Sequence, residues 1–261
     1  MLRVALLTLE SPLSTPAVAA LLAAAPAGVR FVLIARSTPA AAPLAQLARH
    51  WRRSGPRLLP WLLANYALPP LRGGLGPLAA RHGIPLRPLP ADPTALLAEV
   101  AAELVVTLHC DRILPPELLA GLPRGGLNLH PSWLPRGRGP TPVLHALAEP
   151  PAADAPGPRF GVTLHRLAAA IDAGPILLQA AHAPPPGASA SAITRALHLA
   201  GVPLLVAALA AEAAGTPLPE HPMPAGPYQS FPSRHTLAAL ARHGHSLVTA
   251  ADLGAALLPR P

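Results

Sequence analysis

The sequence predicts an α/β protein built on a central, mostly parallel sheet with helices covering it. Three observations carry that reading. Short apolar runs rich in β-branched residues recur along the chain, helical candidates separate several of them, and 38 prolines and 20 glycines punctuate the turns. Strands alternating with helices imply parallel pairs under covering helices. Ligands of such sheets sit at the carboxyl ends of the strands.

The first run, Leu2–Leu9, reads as a buried strand. The stretch from Met1 to Ala25 has the outline of a secretory leader, with Arg3, an apolar run and then alanines. Glu10, Pro12 and Pro16 interrupt it, and the run from Val4 to Leu9 falls short of the usual apolar core of about 7–15 residues. A helix over Pro16–Ala25 and a strand over Val29–Ala35 follow. Residues 44–82, "LAQLARHWRRSGPRLLPWLLANYALPPLRGGLGPLAARH", mix Arg, Trp and Leu at helical spacing and break at Pro and Gly, so they read as a helical insertion. Its apolar part, Leu58–Leu71, is shorter than the roughly 20 residues of a membrane span. Trp51, Trp61, Leu62, Leu63 and Tyr66 are too apolar to stand as one exposed patch, and the main domain, a second subunit or a bound acceptor would cover them.

Further on, the pattern predicts a helix over Pro93–Glu103 and a strand over Leu104–His109. A Pro-started helix ends the stretch Arg112–Leu119. Then come a strand over Gly126–His130, a helix over Pro140–Ala148, and strands over Val162–Leu167 and Ile176–Ala181. Ser189–Ala214 is apolar enough to close over the sheet as a core helix, with a bend at Gly201 and Pro203. Residues 1–215 form the main domain. Residues 216–261 form a short C-terminal tail that wraps it, with a helix near His235–His243, and are too few for a confident second globular domain.

At 261 residues the chain fits one large domain with an appendage. Glycine and proline make up about 22% of it, below the roughly 25–30% that marks low complexity, and 51% apolar content argues against disorder. The formal charge is +8, but all twenty basic residues are Arg and Ala and Pro abound, so compositional bias explains much of the basicity. Nucleic acid is therefore not favoured as a partner. One cysteine, Cys110, allows no intramolecular disulfide and fits a cytoplasmic protein.

Chemistry concentrates in "LNLHPSWLPRGRGPTP", residues 127–142. Side chains two apart in a strand point the same way, so Asn128 and His130 project together before Pro131 stops the strand. An amide and an imidazole side by side suit acyl transfer, in which a carbonyl oxygen becomes negative and needs donors. Asn128 donates without ionising; His130 donates or shuttles a proton. A second segment, "GVTLHRLAAAIDAGPILLQ" at residues 161–179, runs strand, small-residue loop, Asp172 in a tight turn, strand. An Asp facing His130 would favour imidazolium and attract the proton of an attacking amine. No His/Cys cluster at ligand spacing argues for a metal.

Together these segments resemble the folate-dependent formyltransferases. The shared signature, Asn-x-His-Pro-Ser-x-Leu-Pro, Arg-Gly, Gly-x-Thr-x-His and Asp-x-Gly-x-Ile, falls on Asn128, His130, Pro131, Ser132, Leu134, Pro135, Arg138, Gly139, Gly161, Thr163, His165, Asp172, Gly174 and Ile176. The resemblance implies a Rossmann-like three-layer fold and 10-formyltetrahydrofolate as co-substrate. Asn128, His130 and Asp172 would be catalytic, with Ser132, Arg138, Thr163 and His165 around the substrate or behind the triad. It also implies that "RILPPELL" lines a pterin pocket. There Asp111, Arg112 and Leu114 would flank the ring, Leu119 would add apolar wall, and the loop Ala168, Ala169, Ala170, Ile171 would close over it.

Two departures bear on the acceptor. Glycinamide ribonucleotide formyltransferases carry a Gly-rich phosphate loop after the first strand, whereas "TLESPLSTPAV" has no glycine with which to offer a phosphate a nest of amides. Methionyl-tRNA formyltransferases continue into a basic barrel, for which the 46 residues after Gly215 are too few. The expected acceptor is thus the amine of a small metabolite or a carrier-bound group, with the apolar insertion tilting toward a large or lipophilic one. A formyltetrahydrofolate hydrolase, a methionyl-tRNA formyltransferase-like enzyme and a silent scaffold of the same fold are the alternatives, and a homodimer is possible.

Overall fold

The computed structural model describes residues 1–36, 44–67, 74–150 and 157–257. Seven strands form one sheet: β1 (Leu2–Leu9), β2 (Val29–Arg36), β3 (Leu86–Pro88), β4 (Leu104–Leu108), β5 (Gly126–His130), β6 (Gly161–Arg166) and β7 (Ile176–Ala181). Their order is β3-β2-β1-β4-β5-β6-β7. Pairing is parallel from β3 through β5, and β6 and β7 are added antiparallel. The order reverses between β1 and β4, so the crevice for a ligand opens where those two strands end.

In chain order the helices are α1 (Thr15–Ala23), α2 (Leu44–Ser54), α3 (Leu59–Leu62), α4 (Leu75–Arg81), α5 (Thr94–Glu99) and α6 (Pro116–Ala120). They continue as α7 (Pro142–Ala148), α8 (Ala190–Ala200), α9 (Val202–Ala214), α10 (Arg234–Arg242) and α11 (Ala250–Leu257). Alternation along the strands sorts the core into layers. One face of the sheet packs Val4, Leu6, Val106, Leu127 and Leu129 against α1, α4 and α9. The other packs Ala5, Leu7 and Val105 against Leu97 of α5 and Leu118 of α6. Helices on both faces of a mostly parallel sheet make the three-layer, Rossmann-like architecture.

Three expectations change. The helix predicted over Pro93–Glu103 stops at Glu99, and Ala101 takes a left-handed backbone at φ 49° that a continuing helix excludes. The three residues of β3 were too few to register as a strand. Beyond Gly74, the stretch read as insertion joins the main body, because Leu75, Leu78 and Ala79 of α4 enter the core beside β1 and β2. The apolar closing segment behaves as predicted: α8 ends at Ala200, and α9 restarts at Val202 with proline in its first turn. Residues Ala190–Ala214 are long and apolar enough to cross a membrane by length and composition, yet Ile193, Leu197, Leu205 and Leu209 are spent inside the core.

The main domain covers part of the apolar set in the insertion, the first of the covers expected for it, and leaves part exposed. Trp61 is only 3% exposed and packs with Leu13, Leu58, Leu144, Leu197 and Leu237, whereas Trp51 and Leu63 stand exposed. Tyr66 and Leu62 are half-buried beside Trp61, and Leu68–Leu71 lie outside the described residues. Trp61 is therefore a core residue, and changing it should act on stability first. Trp61→Ser is expected to lower the unfolding free energy by about 3–5 kcal/mol, the range for emptying a buried Trp or Phe site. Urea unfolding followed by far-UV circular dichroism checks this.

Candidate active site

On β5, Leu127 and Leu129 point into the core and Gly126, Asn128 and His130 point to the opposite face. Each of the two polar side chains is held by a partner that fixes its orientation. Asn128 Oδ1 accepts from the Thr107 hydroxyl at 2.8 Å, which turns its amide nitrogen toward the site. Asn128 Nδ2 then donates to His165 Nε2 at 3.0 Å and to Asp172 Oδ1 at 3.3 Å. His130 Nε2 donates to the Gly137 carbonyl at 2.8 Å, leaving Nδ1 to face Asp172 Oδ1 at 3.6 Å. Gly137 sits at φ 71°, and a Cβ there would come within 2.9 Å of Pro142, so the carbonyl that orients His130 depends on glycine at this position.

Asp172 arrives from the loop between β6 and β7, itself in a left-handed conformation at φ 48°. Its second oxygen accepts from the Gly139 amide at 2.8 Å. The structure thus brings Asn128, His130 and Asp172 together around one carboxylate oxygen. His165 completes the group from β6, directly opposite Asn128 in the antiparallel register. Burial, then the neighbouring His130, pushes its pKa down to about 4, against the Arg166 carbonyl and Asp172, which favour the charged ring. It is neutral near pH 7: Nδ1 donates to the Arg166 carbonyl at 2.8 Å, so Nε2 is an acceptor for Asn128.

Both amide hydrogens of Asn128 already point at acceptors. The contact to Asp172 is long, however, as is that from His130, and catalytic hydrogen bonds in ligand-free sites commonly tighten only when the reacting group arrives. An oxygen entering between Asn128 Nδ2 and His130 Nδ1 would replace Asp172 as the acceptor of both.

The remaining predicted residues divide by what they touch. Thr163 braces the loop after β5: its hydroxyl donates to the Ser132 carbonyl at 2.7 Å and accepts from the Leu134 amide at 3.1 Å. Ser132 is buried with its hydroxyl unpaired. Arg138 spans two segments, donating from Nε and Nη2 to the Ile171 carbonyl and from Nη1 to the Gly226 carbonyl. Sequence reasoning missed Thr107, whose signal was only a threonine inside an apolar strand, and Gln179, which donates to the Leu134 carbonyl and to Thr163.

Of the residues expected around a pterin, Asp111, Ala168, Ala169 and Ala170 are exposed, Ile171 is 37% exposed, and Arg112 is half-buried. Arg112 Nε is buried without a hydrogen-bond partner, a donor that a ligand could take up. Leu119 meets Leu167 over Gly126, on the Asn128 face of β5. Leu114 is buried with Leu7, Leu97 and Leu118. The side chain its loop presents outward is Ile113, 71% exposed.

At the crevice between β1 and β4 the turn after β1 is closed to anions. The Leu13 amide donates to the Ser11 hydroxyl, and the Ser14 and Thr15 amides donate to the Ser11 carbonyl. The buried Glu10 carboxylate accepts from the Leu75 amide at 2.7 Å. Across the crevice His109 bonds the Tyr66 hydroxyl and the Ser14 hydroxyl, each at 3.0 Å. Burial and the adjacent His198 push the His109 pKa down to about 3, so this array is uncharged. A cavity of about 330 Å³ lies elsewhere, lined by Ser132, Trp133, Arg136, Gly137, Arg159 and Phe160 among others. It shares only the loop after β5 with the triad, and neither Asn128 nor Asp172 lines it.

The family profile described as "Formyl transferase" matches residues 87–209, the segment that carries Asn128, His130 and Asp172. Over this segment the chain is similar to the formyl transferase family. The chain is 41% identical over 92 residues to a methionyl-tRNA formyltransferase of Rhodopirellula baltica, covering 31% of this chain and 27% of that one. A methionyl-tRNA formyltransferase of Treponema denticola is 45% identical over 51 residues, 20% of this chain and 16% of the other. The chain thus spans less than a third of the length of these curated relatives. The fold extends further than the sequence match. Glycinamide ribonucleotide transformylase 1 from Symbiobacterium toebii superposes with a TM-score of 0.58 at 22% identity, covering 82% of this chain and 89% of that one. A sugar N-formyltransferase from a Shewanella species superposes with a TM-score of 0.57 at 18% identity, covering 93% and 88%.

Proposed function

We propose that this protein is a formyl transferase that moves a formyl group from 10-formyltetrahydrofolate to the amine of a small metabolite or carrier-bound acceptor. The observation that carries the reading is the convergence of Asn128 Nδ2 and His130 Nδ1 on Asp172 Oδ1, at 3.3 and 3.6 Å. The folate carrier supplies a formyl carbon activated toward nucleophiles. Asn128 and a protonated His130 donate to the formyl oxygen as negative charge develops on it. The Gly137 carbonyl keeps His130 turned so that Nδ1 serves this purpose. The neutral amine attacks the formyl carbon, and Asp172, no longer needed by those donors, accepts the proton that the amine sheds; the bond from that carbon to N10 then breaks, and tetrahydrofolate leaves as N10 takes a proton back from Asp172, directly or through water. Asp111, Arg112, Leu114, Leu119 and the loop Ala168–Ile171 would hold the pterin, with the exposed Ile113 beside them.

The acceptor side favours an amine without a phosphate. The first turn has spent its amides, Glu10 puts a carboxylate nearby, and the Tyr66–His109–Ser14 array is neutral. Methionyl-tRNA remains an acceptor to include in any comparison, because the matched relatives carry that activity in their names. The case for a lipophilic acceptor weakens, since Trp61 is core.

Release of tetrahydrofolate from 10-formyltetrahydrofolate, followed by absorbance, tests the reading. Hydroxylamine serves as a small nucleophile that needs no acceptor pocket, and a panel of amines with and without phosphate follows. Amine-dependent release is expected, and O-phosphoethanolamine should be a poorer acceptor than ethanolamine. Release at the same rate in water alone would make the protein a hydrolase, and none at all would leave a scaffold.

A further inference from the structure

We infer that residues 221–229 of the C-terminal segment are a working part of the site, acting through Arg138 to hold Asp172 in register with Asn128 and His130. The inference rests on the reading above for its activity readout and on geometry for the rest. Asp172 occupies a left-handed backbone conformation at φ 48°, uncommon for a non-glycine residue and held in place by the contacts around it. Two contacts of the C-terminal segment bracket the loop that carries it. On the far side, Ile176 and His221 exchange backbone hydrogen bonds of 2.8 Å in both directions. On the near side, Arg138 donates to the Ile171 carbonyl from Nε at 3.2 Å and Nη2 at 2.7 Å, and reaches the Gly226 carbonyl from Nη1 at 2.9 Å.

Arg138 is itself gripped by the same segment, since its carbonyl accepts from the Gln229 amide at 2.8 Å. The fit leaves no slack. A Cβ on Gly139 would lie 1.9 Å from the Gln229 carbonyl oxygen, and one on Gly226 would lie 2.6 Å from that of Pro135. The Gly139 amide, placed by this packing, is the donor to Asp172 Oδ2 at 2.8 Å. The chain of contacts therefore runs from residues 226–229 to Arg138 and Gly139, and from these to Ile171 and Asp172. Arg138 touches no reacting atom along it and is a positioning residue.

Lysine carries one donor group where the guanidinium makes three bonds to two carbonyls, so a conservative charge is no substitute. The test uses the full chain with Arg138→Gln and Arg138→Lys. Hydrogen exchange read by NMR should show the Gly139 amide exchanging about tenfold faster or more in both variants, because its acceptor Asp172 has lost its hold. Unchanged protection of Gly139 would overturn the inference whether or not the protein transfers formyl groups.

In the hydroxylamine assay, Arg138→Gln should lower kcat about tenfold or more while KM for the folate stays within about twofold, and should cost almost nothing further in an Asp172→Ala background. Equal losses in both backgrounds would mean that Arg138 serves the fold generally and not Asp172. Should Arg138→Gln fail to fold, Gln229→Pro removes the amide that grips Arg138 without touching its guanidinium, and the same two readouts apply. Absence of hydroxylamine transfer by the unmodified protein counts against the proposed function alone, since the exchange measurement decides the positioning claim separately.

Discussion

Asn128→Ala is expected to lose about 100- to 1000-fold in formyl transfer while keeping its affinity for the folate, the cost typical of removing one donor to a developing oxyanion. The side chain is anchored on its far side by Thr107 and lies beside Asp172 and His165. Its removal takes away a donor and also frees His165 Nε2 and Asp172 Oδ1 from their shared neighbour. Asn128→Asp keeps the size but sets a second carboxylate against Asp172, and should be at least as damaging. Turnover by stopped-flow absorbance, with folate affinity by fluorescence titration, separates the two effects. Transfer at the full rate by Asn128→Ala would remove the donor role from the account.

Acid should destabilise the fold steeply. Three buried histidines are held far below the ordinary value near 6.5: His109 at about 3, and His165 and His198 at about 4. Burial is the leading cause in each. Neighbouring groups deepen or resist it: His198 deepens it at His109, His130 at both His165 and His198, and Asp172 opposes the shift at His165. A depressed histidine binds fewer protons folded than unfolded. Its stabilising contribution is complete above about pH 6.5 and drains away as the pH falls toward 4. At pH 5 each of the three should have cost about 2 kcal/mol, together a large share of a stability that for most domains is about 5–15 kcal/mol. Urea midpoints at pH 7.5 and pH 5 read the effect, and His109→Gln should flatten the slope between them. Equal midpoints at the two pH values would mean that these rings are protonated in the fold.

How legible each feature was in the sequence follows from how local its cause is. Strands announced themselves because burial on both faces demands continuous apolar runs, and β1, β2, β4, β5, β6 and β7 all lie where such runs predicted. The short edge strand β3 had too few residues to carry a pattern. Asn128 and His130 were legible as a pair because a strand's alternation is local, and the convergence of Asp172 on them became visible only through the antiparallel addition of β6. Thr107 and Gln179 contribute through bonds across the sheet, which no spacing along the chain encodes. For Trp61 the sequence left several covers open for one reason: an apolar side chain in an irregular stretch looks the same whether it faces a ligand, a partner or the core, and here it is the core.

The most direct test of the account follows the carbon itself. The protein is incubated with 10-formyltetrahydrofolate labelled with carbon-13 in the formyl group and with hydroxylamine, and the products are identified by NMR and mass spectrometry. The account predicts that the label appears on the amine nitrogen, in step with tetrahydrofolate release, and that Asp172→Ala suppresses both. Label recovered only as formate, or left on the folate at the rate of a protein-free control, would contradict it.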